Sequence, residues 1–176
     1  MAKTYKRRRY YRNRGRWSAN IKTLTNSAIT ATPNSSFYGV TDLCLNPAQS
    51  DSTVSQQYTV KNVELSYELE LVGTSTLWSY IEGLVAYIMY VPQGMTVTET
   101  YPNFHPEYIM AMKFLGSPNR DEENQPGRLP CKIKTRLARR LQTGDKLVLL
   151  ITGTSNTATQ QTLNFNGIIR WWTKAN

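Results

Sequence analysis

Tyr58-Thr59-Val60-Lys61-Asn62-Val63-Glu64-Leu65-Ser66-Tyr67-Glu68-Leu69-Glu70-Leu71 is the stretch on which the fold turns. From Asn62 onward, Val63, Leu65, Tyr67, Leu69 and Leu71 alternate with Asn62, Glu64, Ser66, Glu68 and Glu70. Successive strand residues point to opposite faces, so this is a half-buried strand, apolar inward and acidic outward. Upstream, Tyr58 and Val60 fall on the opposite phase. Either the strand begins late, or a β-bulge near Lys61-Asn62 resets the register.

On both sides of this stretch, short apolar or alternating blocks recur between turn-rich segments, the spacing of an all-β sandwich or barrel. Eight strands are predicted: near 19–30 (weak and threonine-rich), 37–45, 62–71, 84–91, 110–115, 131–138, 146–152 and 163–172. Residues 84–91 are apolar throughout and stop at Pro92, which predicts a strand buried on both faces. Pro106 suits the first position of a helical turn, and the residues up to Leu115 fit either a strand from Met110 or one short helix. In the 131–138 block, Ile133, Thr135 and Leu137 are expected on one face and Lys132, Lys134 and Arg136 on the other; Gly144-Asp145 turns the chain afterwards. Eight strands without long helices fit a two-sheet jelly roll. An open immunoglobulin-like sandwich fits the count almost as well, and pattern alone does not separate them.

The 176 residues amount to one domain, long enough for a core without disulfides or metal. No window approaches the ~18 uninterrupted apolar residues of a membrane span, so no membrane insertion is expected. The N-terminus carries arginines where a secretory signal would be apolar. Cys44 and Cys131 lie far apart in no metal or redox spacing, which suits a reducing compartment.

The formal charge of +9 is unevenly placed. Residues 1–22 hold Lys3, Lys6, Arg7, Arg8, Arg9, Arg12, Arg14, Arg16 and Lys22 with no acid, and the remaining cations and acids cancel. The chain therefore reads as a basic arm, 1–17, on a neutral body, 18–176. Such an arm buries too little apolar surface to offset its ordering entropy and is expected to be disordered when free. A body without net charge lacks the repulsion that keeps small domains apart. The arm interleaves its cations with Tyr5, Tyr10, Tyr11 and Trp17. Cations neutralise phosphates, arginine grips them bidentately, and aromatic faces stack on unpaired bases. Lys6, Arg7, Arg8 and Arg9 also have the look of a nuclear import signal.

A catalytic constellation is hard to find. His105 is the only histidine, and its place before Pro106-Glu107 reads as the start of a helical turn. Asp121-Glu122-Glu123 lies in a loop-like stretch with no calcium-loop spacing. Phosphate loops and dinucleotide fingerprints are absent. The chain reads as a non-enzyme, without catalytic residues, metal or cofactor. Lys132, Lys134, Arg136, Arg139 and Arg140 form a second cationic cluster. It either lines a nucleic-acid surface, with Arg139 and Arg140 as contacts, or pairs with acids such as Glu64, Glu68 and Glu70.

Several segments, in this order, resemble the capsid proteins of circoviruses and related circular single-stranded-DNA viruses that encode a replication initiator. They are Tyr5-Lys-Arg-Arg-Arg-Tyr-Tyr-Arg12, Tyr58-Thr-Val-Lys-Asn-Val-Glu-Leu-Ser-Tyr67, Tyr90-Val-Pro-Gln-Gly94, His105-Pro-Glu-Tyr-Ile-Met110, Arg136-Leu-Ala-Arg-Arg-Leu-Gln-Thr-Gly-Asp145 and Gly167-Ile-Ile-Arg-Trp-Trp-Thr-Lys-Ala-Asn176. The similarity spans nearly the whole chain, with a shorter arm and shorter loops than typical circoviruses. It implies a single viral jelly roll, with sheets ordered B-I-D-G and C-H-E-F. Sixty copies would close into a T=1 icosahedral shell whose arms package circular single-stranded DNA. The implied partners are that genome, further copies of the chain and host nuclear import receptors, and the implied locations are the virion and the host nucleus. Phosphate and stacking contacts alone do not tell DNA from RNA. A satellite RNA virus coat, or a ribosomal-type protein with a basic extension, uses the same chemistry. A lectin-like or enzymatic jelly roll would need converging polar or metal ligands.

Overall fold

The computed structural model describes residues 16–46, 57–72, 78–116 and 128–175. Its central strand, β3 (Tyr58–Val72), runs through the phase break and contains a bulge there. Lys61 pairs with Trp172 and Glu64 with Arg170 of β9 (Gln161–Ala175), so β3 carries one residue too many between them. Asn62 takes up the excess in a left-handed conformation, φ 51°, which asparagine tolerates better than most residues. Val60 before the bulge and Val63, Leu65 and Leu69 after it are thus all fully buried on the same side.

One sheet runs β1 (Ser18–Ala31), β9, β3, β6 (Arg128–Lys134), with β7 (Arg139–Leu141) beside the start of β3. The other runs β2 (Ser36–Leu45), β8 (Lys146–Ser155), β4 (Ile81–Val91), β5 (Ile109–Gly116). All pairings are antiparallel. Lettered B to I along the chain, with β6 and β7 as two pieces of G, the orders are B-I-D-G and C-H-E-F. This is the jelly roll, and the order excludes the immunoglobulin-like alternative.

The strand expected over 131–138 is corrected: β6 ends at Lys134 and β7 is a separate piece. The bulge is the cause. β6 pairs with residues 64–70 of β3 and β7 with 58–60, leaving the bulge between them. Thr135 is held there by its N–H donating to Val63 O at 2.9 Å, while its hydroxyl accepts from Leu137 N–H at 3.1 Å, turning the chain. Leu137, expected inward beside Ile133 and Thr135, is consequently 56% exposed. The helix reading of 106–115 also falls away. A single 3₁₀ turn, Pro106–Tyr108, leads directly into β5.

Leu65, Leu69, Leu84, Ile88, Leu149, Phe165 and Ile169 form the core between the sheets. Tyr67 lies against Phe165 with ring centroids 5.0 Å apart. Gly167 faces Tyr67 across the β3–β9 pair, and a Cβ there would meet Tyr67 Cβ at 2.7 Å. The apolar 84–91 block predicts burial on both faces, and the C-terminal end of β4 is buried on its second face as well, whereas Val85 and Tyr87 earlier on that face are half-buried. Met89 and Val91 pack there with Val97, Tyr101, Val148 and Leu150, beneath the β4–β5 connection. Cys44 and Cys131 are both buried and unbridged.

The turn before β8 is organised by the buried Asp145. Its carboxylate accepts from the Tyr90 hydroxyl (2.7 Å), Gln142 N–H (2.8 Å) and Gln93 N–H (3.0 Å). Burial, then the bond to Asp145, pushes the Tyr90 hydroxyl up to about 12; burial also pushes Tyr101 to about 12 and raises Tyr58 and Tyr67. The folded state therefore holds these protons more tightly than the unfolded chain, whose tyrosines titrate near 10. Their contribution to stability is complete below pH ~10 and declines as pH rises toward ~12. The near-UV circular dichroism is expected to collapse in that window, with late tyrosinate absorbance appearing in step. Full tyrosinate formation with the fold intact would contradict this.

Candidate nucleic-acid interface

The bulge also decides which side chains share the outer face of the B-I-D-G sheet. Lys61 would oppose Glu64 in an unbroken strand, but the extra residue brings both outward. The register then sets up adjacent rows at one end of the sheet. Lys174, Thr59 and Arg140 form the first, and Ala19, Trp172 and Lys61 the second. Ile21, Arg170, Glu64 and Lys134 form the third. Arg140, Arg170 and Lys134 are exposed, while Lys61, Trp172 and Lys174 are half-buried.

Trp17, 38% exposed, reaches over β9 to Lys61, whose Nζ lies 3.9 Å from the indole ring centroid. Among the described residues, the corner thus combines two indoles with Lys61, Lys134, Arg140, Arg170 and Lys174 against one carboxylate, Glu64. Among the described residues, Arg140, Arg170, Lys134 and Lys174 form no ion pair. Fixed cations and flat rings on one surface suit an unpaired, phosphate-bearing strand. Beta1 begins here, with Ser18 opposite Thr173, so the cation-rich residues 1–16 are joined to the chain at this corner.

Farther along the same face the charges are consumed. Lys132 Nζ lies 2.8 Å from Glu64, and that bond holds the Glu64 carboxyl below its usual range. Arg128 contacts Glu70 at 3.4 Å and Glu68 at 3.9 Å. The acidic face of β3 therefore does lie against cations of the next strand, though Arg128, outside the expected cluster, serves two of the three glutamates. Lys134 stands opposite Glu64 in register, and Arg136 is an exposed residue of the β6–β7 link.

Lys3, Lys6, Arg7, Arg8, Arg9, Tyr10, Tyr11, Arg12 and Arg14 lie outside the described residues, as do Asp121, Glu122 and Glu123. Arg16 is exposed beside Trp17. Arg139 and Arg140 are separated by the strand period. Arg140 stands in the outer row with Lys174, whereas Arg139 donates to the Glu107 carbonyl and lies 5.4 Å from the Tyr90 ring centroid. Arg139 thus ties the two sheets together at their edge. His105 packs between Tyr101 and Tyr108, with ring centroids 4.7 and 5.2 Å away. Among the described residues no group of His, Cys, Asp and Glu is arranged to hold a metal.

Lys61, Arg170, Trp172 and Lys174 are the residues of this candidate interface that sequence reasoning missed. A signal was present: 170, 172 and 174 alternate cation, indole, cation, so period two sets all three on one face.

No protein-family model and no curated protein matches this chain. Similar solved structures include the infectious bursal disease virus VP2 subviral particle, at 8% identity over 89% of this chain, TM-score 0.44. This chain spans 32% of that one. A maize chlorotic mottle virus structure is 11% identical, with 90% of this chain and 93% of that chain covered, TM-score 0.39. A lipoprotein from Bacteroides thetaiotaomicron is 9% identical, with 88% and 95% covered, TM-score 0.38.

Proposed function

We propose that this chain is the coat subunit of a small virus, closing with copies of itself into a T=1 icosahedral shell and packaging circular single-stranded DNA. The observation that carries the reading is the union of the cationic, indole-bearing corner of the B-I-D-G face with the cation-rich residues 1–16 on an otherwise neutral body. The opposite, outward face of the C-H-E-F sheet has a different chemistry. Its rows Tyr38, Thr152, Val85, Phe114 and Val40, Leu150, Tyr87, Met112 hold no charge. At the border of that face Lys146 and Asp42 pair with each other at 2.9 Å, so a subunit with one cationic face and one without excess charge in these rows has a built-in inside and outside. The B-I-D-G face and the arm are assigned to the interior, and the choice of DNA rests on the resemblance in the sequence. Lys6, Arg7, Arg8 and Arg9 are assigned to import of the free subunit into the host nucleus, through host import receptors, before assembly.

Negative-stain microscopy and sedimentation of the expressed full chain test the assembly. Closed shells of one diameter are expected, with an absorbance ratio that reports nucleic acid inside. Monomers at high protein concentration in both low and moderate salt would overturn the coat reading.

A further inference from the structure

We propose that a cleft at the β1–β2 corner is a binding site for a neutral saccharide. It measures about 510 Å³, within the usual range for a small-molecule site. Thr30 and Thr32 line it from the end of β1 and the following turn, Ser36 and Tyr38 from β2, and Glu99 and Thr100 from the β4–β5 connection.

The donor set matches a sugar. Ser and Thr hydroxyls both donate and accept, as sugar hydroxyls do, and a carboxylate accepts from adjacent hydroxyls. Glu99 Oε2 accepts from the Ser36 hydroxyl at 2.8 Å, and its Oε1 offers a second acceptor. Tyr38, 43% exposed, supplies an aromatic surface for the C–H face of a pyranose and a hydroxyl at its rim. The charge pattern chooses among sugars. Among the described residues no Lys, Arg or His lines the cleft, and the one charged group that does is a carboxylate. Sulfated or sialylated glycans would meet repulsion without compensation.

The cleft is independent of the nucleic-acid interface and does not rest on the coat reading. Thr30 is eleven residues along β1 from Ala19, roughly 35 Å at strand rise.

Saturation-transfer NMR on the full chain, with lactose, maltose, chitobiose, α-mannobiose, sialyllactose and a heparin disaccharide as probes, tests the site. Transfer is expected to at least one neutral disaccharide and to neither acidic one. Glu99→Gln and Tyr38→Ala should each weaken that binding about tenfold or more, and Lys61→Ala should leave it unchanged. Circular dichroism checks each fold; should Tyr38→Ala lose its structure, the exposed Glu99→Gln decides alone. Absence of transfer to every neutral probe at millimolar concentration overturns the proposal. So does binding confined to the acidic probes, or neutral binding that Glu99→Gln leaves intact.

Discussion

Deletion of Ser66 is expected to abolish the cooperative unfolding transition of the chain, whereas deletion of Asn62 preserves it and Asn62→Gly leaves it close to the parent. Asn62 is the extra residue of the bulge, so without it Val60 and Val63 stand two apart and still face the same side. Ser66 belongs to the regular part of β3; remove it, and one part of the strand must turn over, because a one-residue slip exchanges the faces of a strand. If the residues up to Leu65 keep their place, Tyr67, Leu69 and Leu71, all buried, swing outward, and Glu68 and Glu70 are driven toward the core. Exposing a leucine costs roughly 1.5–3 kcal/mol, and burying an unpaired carboxylate costs several more. Turning residues 62–65 instead exposes Val63 and Leu65 and drives Glu64 inward. Either loss is a large share of the roughly 5–15 kcal/mol that holds a domain folded. Glycine at position 62, by contrast, adopts the left-handed conformation without strain, while Asn62→Val should lose about 1–2 kcal/mol by placing a Cβ branch there. Urea titrations followed by circular dichroism separate the variants. A Ser66 deletion with the parent's midpoint and slope would show that alternation does not set the faces of β3, and loss of the transition on deleting Asn62 would show that the faces depend on the bulge residue, Asn62.

That residue also marks how far local sequence pattern reaches. The alternation in 62–71 and the phase break before it are local, so the central strand and its bulge were both legible. The break of G into β6 and β7 was not, because it reflects the bulge in a partner strand more than sixty residues away. Pattern favoured the B-I-D-G and C-H-E-F orders no more than an immunoglobulin-like sandwich; they came from the resemblance, and the observed pairings agree with them.

The same distinction applies to the interface. Period two guarantees that Arg139 and Arg140 face opposite ways, but only the pairing of β7 with β3 decides that Arg140 joins Lys174 and Arg139 reaches Tyr90. Ala19, Lys61, Arg140 and Trp172 meet through register, a property that no single stretch of chain contains. Lys132 and Glu64 were legible as partners because each lies on a strand with an evident charged face, and complementary faces on adjacent strands pair at short range.

For nucleic acid, replacing Lys61, Arg140, Arg170 and Lys174 with alanine in the full chain is expected to flatten the salt dependence of single-strand binding by about 3 in slope. Each phosphate neutralised on a single strand contributes about 0.7 to that slope, so four lost contacts remove roughly 2.8. Between 50 and 200 mM salt the variant should lose about 50-fold less affinity than the parent. Arg7, Arg8, Arg9 and Arg12 to alanine should flatten the slope by a similar amount if arm and corner bind one continuous strand. The combined variant should then lose close to 6. Trp172→Ala should act differently, lowering affinity at every salt concentration by roughly 1–3 kcal/mol if one base stacks there, with the slope unchanged. Glu64→Gln should strengthen binding modestly by removing the one carboxylate in the corner, and Lys132, freed from it, becomes a further phosphate contact. These side chains lie on the outer face, so unfolding midpoints should move little. Fluorescence titrations of a short single strand across salt read all of these quantities. If the corner variant keeps the parent's slope while the arm variant loses its share, binding is confined to residues 1–16, and the rows around Lys61 serve only to anchor Trp17.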